Sequence, residues 1–516
     1  LMLLEDELKK HFGFSSFRTG QREIISDILN NKDVLGVLPT GSGKSLCYQL
    51  PARIIDGSVI VVSPLISLMV DQVKQLIASG FKDVVAINSF LSFSEKELAY
   101  KQIDSYKLIY VSPEMLQNKR FVKLLSTIKI GLFVIDEAHC ISQWGHEFRP
   151  DYLKLDFIIK ALNNPTVLAL TATATPSVQA DILNQLQCKS MKKHIHSMDR
   201  NNITFAVEAF DNIDKKIDFL VKVLAKYPVP TMVYFSSRNW TERVSSILES
   251  RLSNRSIAFY HGGMDQTERL LVQQQFMNGQ LDIICCTSAF GMGINKKDVR
   301  LIIHFHLPTQ VESFIQEVGR AGRDGESSVS LVLAAPNDDK LSKLLIEREL
   351  PTHDQVKELC YYLNSQQGNI INEEFLIELF QLTEIQWRFL RYQLEKHDMI
   401  IDSKIMSRNK EVEVIIDEIN RFILLRNRYK YEKFAELENW VTIKNCRRKG
   451  LFSSFQKYID EPKFYCCDKC DFNILEWKPI LKEKNVQSLD WKEKLKELFL
   501  QGEKHVETSR TYKADV

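Results

Sequence analysis

The chain has 516 residues, of which 44% are hydrophobic and 26% charged, and a formal net charge of +2. Length and composition provide apolar material for about three domains, and no apolar run is long enough to span a bilayer. The near-neutral balance excludes a bulk-charge attraction to nucleic acid, so any polyanion site has to be a local stripe. Ten cysteines in a chain this long argue against a secreted disulfide scaffold. Six of them, Cys47, Cys140, Cys188, Cys285, Cys286 and Cys360, are scattered and read as small apolar packing residues. The first residues lack the basic and apolar regions of a signal peptide, which sets a cytoplasmic expectation.

Residues 1–29 read as helices with a turn between them. Gln21 lies in that turn region, after Phe12-Gly13-Phe14 and Phe17-Arg18-Thr19-Gly20. A glutamine can pair bidentately with adenine, so Gln21 is either an adenine reader or part of an exposed helix start. The strand-like run Asp33-Val34-Leu35-Gly36-Val37 then leads into Leu38-Pro39-Thr40-Gly41-Ser42-Gly43-Lys44-Ser45 and a helix-like run. Strand, Gly-rich turn, Lys-Ser and helix is the order a phosphate-binding loop requires. Glycines let backbone N–H groups close around phosphate oxygens. Lys44 would reach the β- and γ-phosphates of ATP, and Ser45 would ligate Mg2+. Leu38 stands where the full pattern has glycine.

Apolar strands then alternate with helical stretches. The strands are Ser58 to Val62, Val84 to Ile87, Leu108 to Val111, Leu132 to Ile135 and Val167 to Leu170. This alternation predicts a parallel sheet covered by helices, with ligands at the C-terminal strand ends. Asp136-Glu137-Ala138-His139 falls at such an end. Asp136 can hold the metal that Ser45 touches, and Glu137 can activate the attacking water. The next segment carries Gln143, Trp144, Phe148 and Arg149. It can stack bases and bind phosphate, or it can pack its aromatics inward. Thr171-Ala172-Thr173-Ala174-Thr175 suits either a relay between sites or a helix cap.

From about Ile203 the alternation restarts, with strands Thr231 to Phe235 and Ile283 to Thr287. Gly291-Met292-Gly293-Ile294-Asn295-Lys296 follows, and then Gln316-Glu317-Val318-Gly319-Arg320-Ala321-Gly322-Arg323-Asp324-Gly325. This lobe has no phosphate loop of its own. Arg320 and Arg323 therefore read as arginine fingers crossing to ATP on the first lobe, or as surface arginines of a Gly-rich turn.

These strings together resemble the RecQ family of superfamily-two helicases across roughly the first 335 residues. Phe17 to Gln21 resembles the family's adenine motif, Asp136 to His139 its DEAH box, and Gln143-Trp144 its aromatic-rich loop. Ala289 to Lys296 and Gln316 to Gly325 resemble its last core motifs. Leucine-like residues at the Leu38 position also occur in the family. The resemblance implies an α/β chain with two tandem RecA-like lobes and ATP-driven 3′-to-5′ translocation on single-stranded DNA. It also implies unwinding of forked or tailed duplexes in recombination and repair, with single-strand-binding or other repair proteins as candidate partners and a monomeric, non-membrane enzyme. Arg18, Gln21 and Thr40 to Ser45 would bind nucleotide. Lys44, Asp136, Glu137, Gln316, Arg320 and Arg323 would act on it. Gln143, Trp144, Phe148 and Arg149 would couple DNA to hydrolysis. An RNA helicase shares this core, since no residue here reports the 2′-OH.

After Pro336 the sheet pattern stops. Predicted helices at Asp354 to Leu363, Asn372 to Phe380 and Thr383 to Lys396, with a short strand from Met399, are compatible with a winged helix or a plain helical insert. Thr383 would cap the third helix, with Arg388 and Arg391 facing outward. The family usually places its winged helix after the zinc segment, so its roles are not carried to this one. Cys467-x-x-Cys470, with Cys466 and Cys446, supplies the four thiolates of a closed structural Zn2+ site, or four free thiols. The cluster resembles the RecQ zinc segment, including its Cys-Arg-Arg opening. The expected divisions are lobes at 1–203 and 204–336, a helical insert at 337–440, a zinc segment at 441–475 and a tail at 476–516. The tail is too short for both of the family's remaining C-terminal domains, and Trp491, Leu495, Leu498 and Phe499 in it would line one helix face.

Overall fold

A computed structural model describes residues 3–142, 149–188, 190–291, 296–406 and 411–480. Seven parallel strands form the first sheet: β1 Val34–Val37, β2 Ser58–Val62, β3 Val84–Ile87, β4 Leu108–Val111, β5 Ile130–Ile135, β6 Thr166–Thr171 and β7 Lys192–Ile195. Their order is β3-β4-β2-β5-β6-β1-β7. Runs of Val, Ile and Leu are apolar on both faces because helices cover both. Val34, Val59, Val61 and Leu132 enter one buried cluster, while Leu35, Ile60, Val62 and Phe133 enter another.

The second sheet contains β8 Ile203–Ala209, β9 Thr231–Tyr234, β10 Ile257–Tyr260, β11 Ile283–Cys286, β12 Leu301–His304 and β13 Ser328–Ala334. It is also parallel, in the order β10-β11-β9-β12-β13-β8. The chain thus has the two expected RecA-like lobes. β8 lies at the edge of this sheet, and the cysteine segment covers it. The Phe205 N–H donates to the Cys466 carbonyl at 3.3 Å, and the Asp468 N–H donates to the Phe205 carbonyl at 3.0 Å. An added stretch of backbone satisfies an edge that would otherwise be open to other chains.

The region after the second sheet is mostly helical. Helices Asp338–Glu349, His353–Ser365, Glu373–Leu379 and Glu384–Lys396 precede an antiparallel hairpin, β14 Ile400–Ile401 and β15 Lys404–Ile405. Ile370 bridges to Lys404 on that hairpin. Thr383 caps its helix as expected, accepting from the Gln386 N–H in a capping box. The arginines stay partly exposed, and both are paired. Arg388 turns onto the first lobe and donates to Glu114 at 3.1 Å, and Arg391 pairs with Glu373 and Glu395. Lys154 with Glu395 and Lys119 with Asp402, both at 2.6 Å, complete the docking. The helix Val412–Thr442 then leads to the short helix Arg447–Phe452 and the cysteines. No helix among the described residues is long and apolar enough to cross a membrane.

Candidate active site

The phosphate loop leaves β1 at the C-terminal edge of the first sheet and enters the short helix Leu46–Gln49. Gly41 and Gly43 have φ of 81° and 80°, in the left-handed region where a Cβ is strained. Two upstream side chains hold the loop. Gln21 donates to the carbonyls of Ser42 and Gly43 at 2.9 and 3.0 Å, and Arg18 donates to the Gly41 carbonyl at 2.8 Å. The Gln21 side-chain Oε1 accepts from the Arg18 backbone N–H at 2.9 Å. Gln21 is thus placed as a clamp on the phosphate loop. Phe12 and Phe14, adjoining residues without an assigned role in the sequence, form an apolar wall of the same cavity.

Asp136 and Glu137 follow β5. The Asp136 N–H donates to the Val62 carbonyl, and the Asp136 carboxylate accepts from the Glu137 N–H at 3.0 Å. Glu137 has a φ of 49°, rare for a non-glycine residue and characteristic of functional turns. Burial and the neighbouring Glu137 charge push the Asp136 carboxyl up, against the pull of Lys44. A cation between these groups and the phosphates would relieve that cost. His139 Nδ1 lies 2.9 Å from Thr171 Oγ1, tying β5 to β6. Of the two readings of the threonine run, the cap is realised: Thr175 accepts from the Val178 N–H at the start of the helix Pro176–Gln185.

Lobe two closes over the loop. Gly319, Arg320 and Arg323 follow the helix Val311–Val318. A Cβ on Gly41 would lie 3.1 Å from Arg323 Cγ, so that arginine sits on the phosphate loop itself. Arg320 packs its guanidinium on Gly291. Burial first, then Arg320 and Arg200, push the Arg323 guanidinium down to about 9. A buried group of like charges of this kind is complementary to a polyanion. One cavity of about 520 Å³ is lined by Lys44, Ser45, Asp136 and Glu137 from the first lobe and by Gln316, Arg320 and Arg323 from the second. Lys297, which the sequence did not single out, also lines it.

Arg200 carries no motif and was not legible as a site residue. It precedes β8 and donates to the carbonyls of Gly319 at 3.0 Å and Thr40 at 3.4 Å, and also to the Gly322 carbonyl. The only available signal was the polar run Asp199-Arg200-Asn201-Asn202 just before an apolar strand. Of the proposed coupling segment, Gln143, Trp144 and Phe148 lie outside the described residues. The Arg149 N–H donates to the Cys140 carbonyl at 3.1 Å.

Cys446, Cys466, Cys467 and Cys470 converge, with all four Sγ atoms within 4.8 Å of one another. Two Sγ pairs, Cys446–Cys466 and Cys467–Cys470, stand at 3.5 Å. Tetrahedral thiolates on zinc, with bonds near 2.3 Å, stand about 3.8 Å apart, so the donor set fits such an ion.

Comparison with known proteins agrees with this geometry. Residues 18–182 match the DEAD/DEAH box helicase family, and residues 215–325 match the helicase conserved C-terminal domain. The chain is 40% identical over 500 residues to the probable ATP-dependent DNA helicase RecS of Bacillus subtilis strain 168, covering 96% of this chain and 98% of that protein. It is 42% identical over 355 residues to the ATP-dependent DNA helicase RecQ of Haemophilus influenzae, covering 68% of this chain but 56% of that enzyme. Among solved structures it resembles the Mycobacterium smegmatis helicase Lhr bound to ssDNA and AMP-PNP, with a TM-score of 0.55 and 18% identity over 81% of this chain and 62% of that one. With both helicase domains in tandem and nearly all of RecS matched, the chain belongs to the RecQ family of helicases.

Proposed function

We propose that this protein is an ATP-dependent DNA helicase that moves 3′ to 5′ along single-stranded DNA and unwinds forked or tailed duplexes. The observation that carries this reading is the shared cavity, in which a phosphate loop faces two arginines across a cleft between lobes. Lys44 contacts the β- and γ-phosphates. Glu137 orients and deprotonates the attacking water. Arg320 and Arg323 reach the transferred phosphoryl from the second lobe, and Gln316 lies beside them. Nucleotide bridging closes the cleft and hydrolysis opens it, so each cycle moves the lobes along a strand. Ser45 and Asp136 would hold the magnesium ion that accompanies ATP, which neutralises charge on the phosphate oxygens when bound.

Gln143, Trp144, Phe148 and Arg149 would report bound DNA to Glu137. The four cysteines would hold one zinc ion in a structural role, since four protein ligands leave no open position for chemistry. The helices and hairpin between residues 353 and 405, with the Ile370 bridge, have the order of a winged helix. The Arg388–Glu114 pair supports a role in docking on the first lobe. The relatives' names support a DNA substrate. We place the protein in the cytoplasm as a monomer serving recombination and repair, with single-strand-binding proteins as candidate partners.

The test is strand separation on duplexes carrying a 3′ tail, a 5′ tail or a fork, beside ATP hydrolysis with matched DNA and RNA strands. Unwinding of the 3′-tailed and forked DNA is expected. Stimulation by RNA alone would replace this reading with an RNA helicase, and binding of ATP without hydrolysis would replace it with a nucleotide-switched binding module.

A further inference from the structure

We propose that Arg200 is a positioning residue of the nucleotide cleft, and that Arg448 of the cysteine segment holds it in place, so that the folded cysteine cluster sets nucleotide affinity. The proposal rests on reading the cleft as an ATP site.

The connection between the lobes, residues 197–205, is gripped from two sides. On the cleft side, Arg200 spans the two halves of the site. One guanidinium nitrogen donates both to Thr40 of the phosphate loop and to Gly319 of the arginine turn, and the other donates to Gly322. Asn202 reinforces this turn by donating to the carbonyls of Gly322 and Glu326, both at 2.8 Å. The planar fork of an arginine can serve three carbonyls at fixed separation, whereas a lysine ammonium offers one point charge.

On the opposite side stands the cysteine segment. Arg448 is only 1% exposed. It donates to the Asp199 carboxylate, to the Ile203 carbonyl and, at 3.3 Å, to the Arg200 carbonyl. A buried charge is tolerated only when paired and hydrogen-bonded, so this contact fixes the backbone on both sides of Arg200. Gln456 accepts from the Met198 N–H at 2.8 Å and donates to Ser197 Oγ at 3.0 Å. The Lys463 N–H donates to the Asn201 carbonyl at 2.7 Å, and Thr204 Oγ1 donates to the Tyr465 carbonyl at 3.0 Å.

Arg448 is in turn placed by the cluster. It lies two residues from Cys446, and the neighbouring Arg447 donates its N–H to Cys467 Sγ at 3.4 Å and its side chain to Asp468. A continuous set of contacts therefore runs from the thiolates through Arg448 and residues 199–200 to Thr40. Disorder at the cysteines would free the connection, release Arg200 and let the phosphate loop and arginine turn drift apart.

The test uses the full chain and measures four quantities: affinity for a fluorescent ATP analogue, KM and kcat for DNA-stimulated hydrolysis, melting temperature and bound zinc. Arg200→Ala is expected to weaken the analogue and raise KM by about tenfold, the scale of a lost hydrogen bond from a charged donor. Melting temperature and zinc content should stay at wild-type values, and Arg200→Lys should restore only part of the affinity. Arg448→Lys should weaken the analogue by a similar factor in the wild-type background and add nothing to Arg200→Ala. If Arg448→Lys does not fold, Gln456→Ala loosens the same connection in its place. Wild-type affinity in Arg200→Ala, or effects that multiply in the double variants, would overturn the proposal. Lys44→Ala serves as the separate control: if it binds the analogue as wild type does, the reading of the cleft fails instead.

Discussion

Gly319 lies against Thr40 across the interlobe cleft, so close that a Cβ on Gly319 would come within 2.8 Å of Thr40 Cβ. The arginine turn and the phosphate loop touch directly, through the Thr40 side chain packed on the bare Cα of Gly319. Gly319 has an ordinary helical φ of −61°, so its need for a bare Cα comes from approach and not from backbone conformation. The distance is a property of the pair of lobes, because each residue sits in a different sheet's domain.

Gly319→Ala should therefore act on closure more than on folding. Overpacking typically costs about 1–3 kcal/mol. Here the strain is relieved by parting the lobes, so it should appear as a rise in KM for ATP of about tenfold or more. The melting temperature should move little. Titration of ATP against hydrolysis rate, beside a thermal melt, checks this. A variant with wild-type KM would show that the contact does not persist in the working enzyme.

Lys44→Ala and Glu137→Gln should both nearly abolish hydrolysis, but for different reasons. Loss of water activation costs about 10²–10⁴-fold in rate. Glu137→Gln should keep its affinity for ATP, since its side chain acts on the water and not on the phosphates. Lys44→Ala should hold ATP weakly. Equilibrium binding beside steady-state hydrolysis with single-stranded DNA separates the two, and wild-type turnover by either would defeat the assignment.

Zinc analysis should find one ion per chain in protein purified without chelator. Metal binding contributes folding energy, and Cys467 is fully buried where it bridges to Phe205 on the edge strand β8. Cys470→Ser should give an insoluble or protease-sensitive product. Preparations that are soluble, resistant and free of zinc would contradict this.

Trp144→Ala should leave nucleotide binding intact and weaken strand binding modestly, because base stacking is worth about 1–3 kcal/mol and backbone contacts remain. DNA-stimulated hydrolysis and unwinding should fall much further than either. Asp136 and Glu137 stand only a few residues before Trp144, and Ser142 is fixed by a 2.6 Å hydrogen bond to Asp181. A lowered melting temperature with all activities reduced in parallel would instead make Trp144 a packing residue.

Reversing Arg388 to Glu should loosen the helical insert from the first lobe, and Glu114→Arg in the same chain should restore it. Exposed pairs are each worth about 0.2–1 kcal/mol, so the effect belongs to protease sensitivity between residues 353 and 405 and not to global stability. An unchanged cleavage pattern in Arg388→Glu would show that the docking rests on the other contacts.

Local sequence determined the elements. Uninterrupted Val, Ile and Leu runs fix strands such as Val84–Ile87 and Leu108–Val111, because a strand covered on both faces needs apolar residues at every position. The phosphate loop and Asp136-Glu137 stood out as candidates for a related reason: each is a short string whose chemistry is complete within a few residues, whereas Arg320 and Arg323 read as a candidate site only against the phosphate loop of the other lobe. The four cysteines stood out as a candidate zinc set through Cys467-x-x-Cys470 and the resemblance to the RecQ zinc segment, and the fold brings their Sγ atoms together. Tertiary structure alone decided what lies between these strings. Arg200 reaches Thr40 and Gly319 across separations of 160 and 119 residues, and Arg448 reaches Asp199 across 249. Arg388 and Arg391, which read as outward cations, find carboxylates on the first lobe, on the helix Glu373–Leu379 and one turn along their own helix. Gln21 spends its amide on the phosphate loop. A single sequence shows which side chains can donate, but the acceptors for these cations are backbone carbonyls and acids brought near by packing. Backbone carbonyls have no residue identity, so nothing in the local pattern marks them.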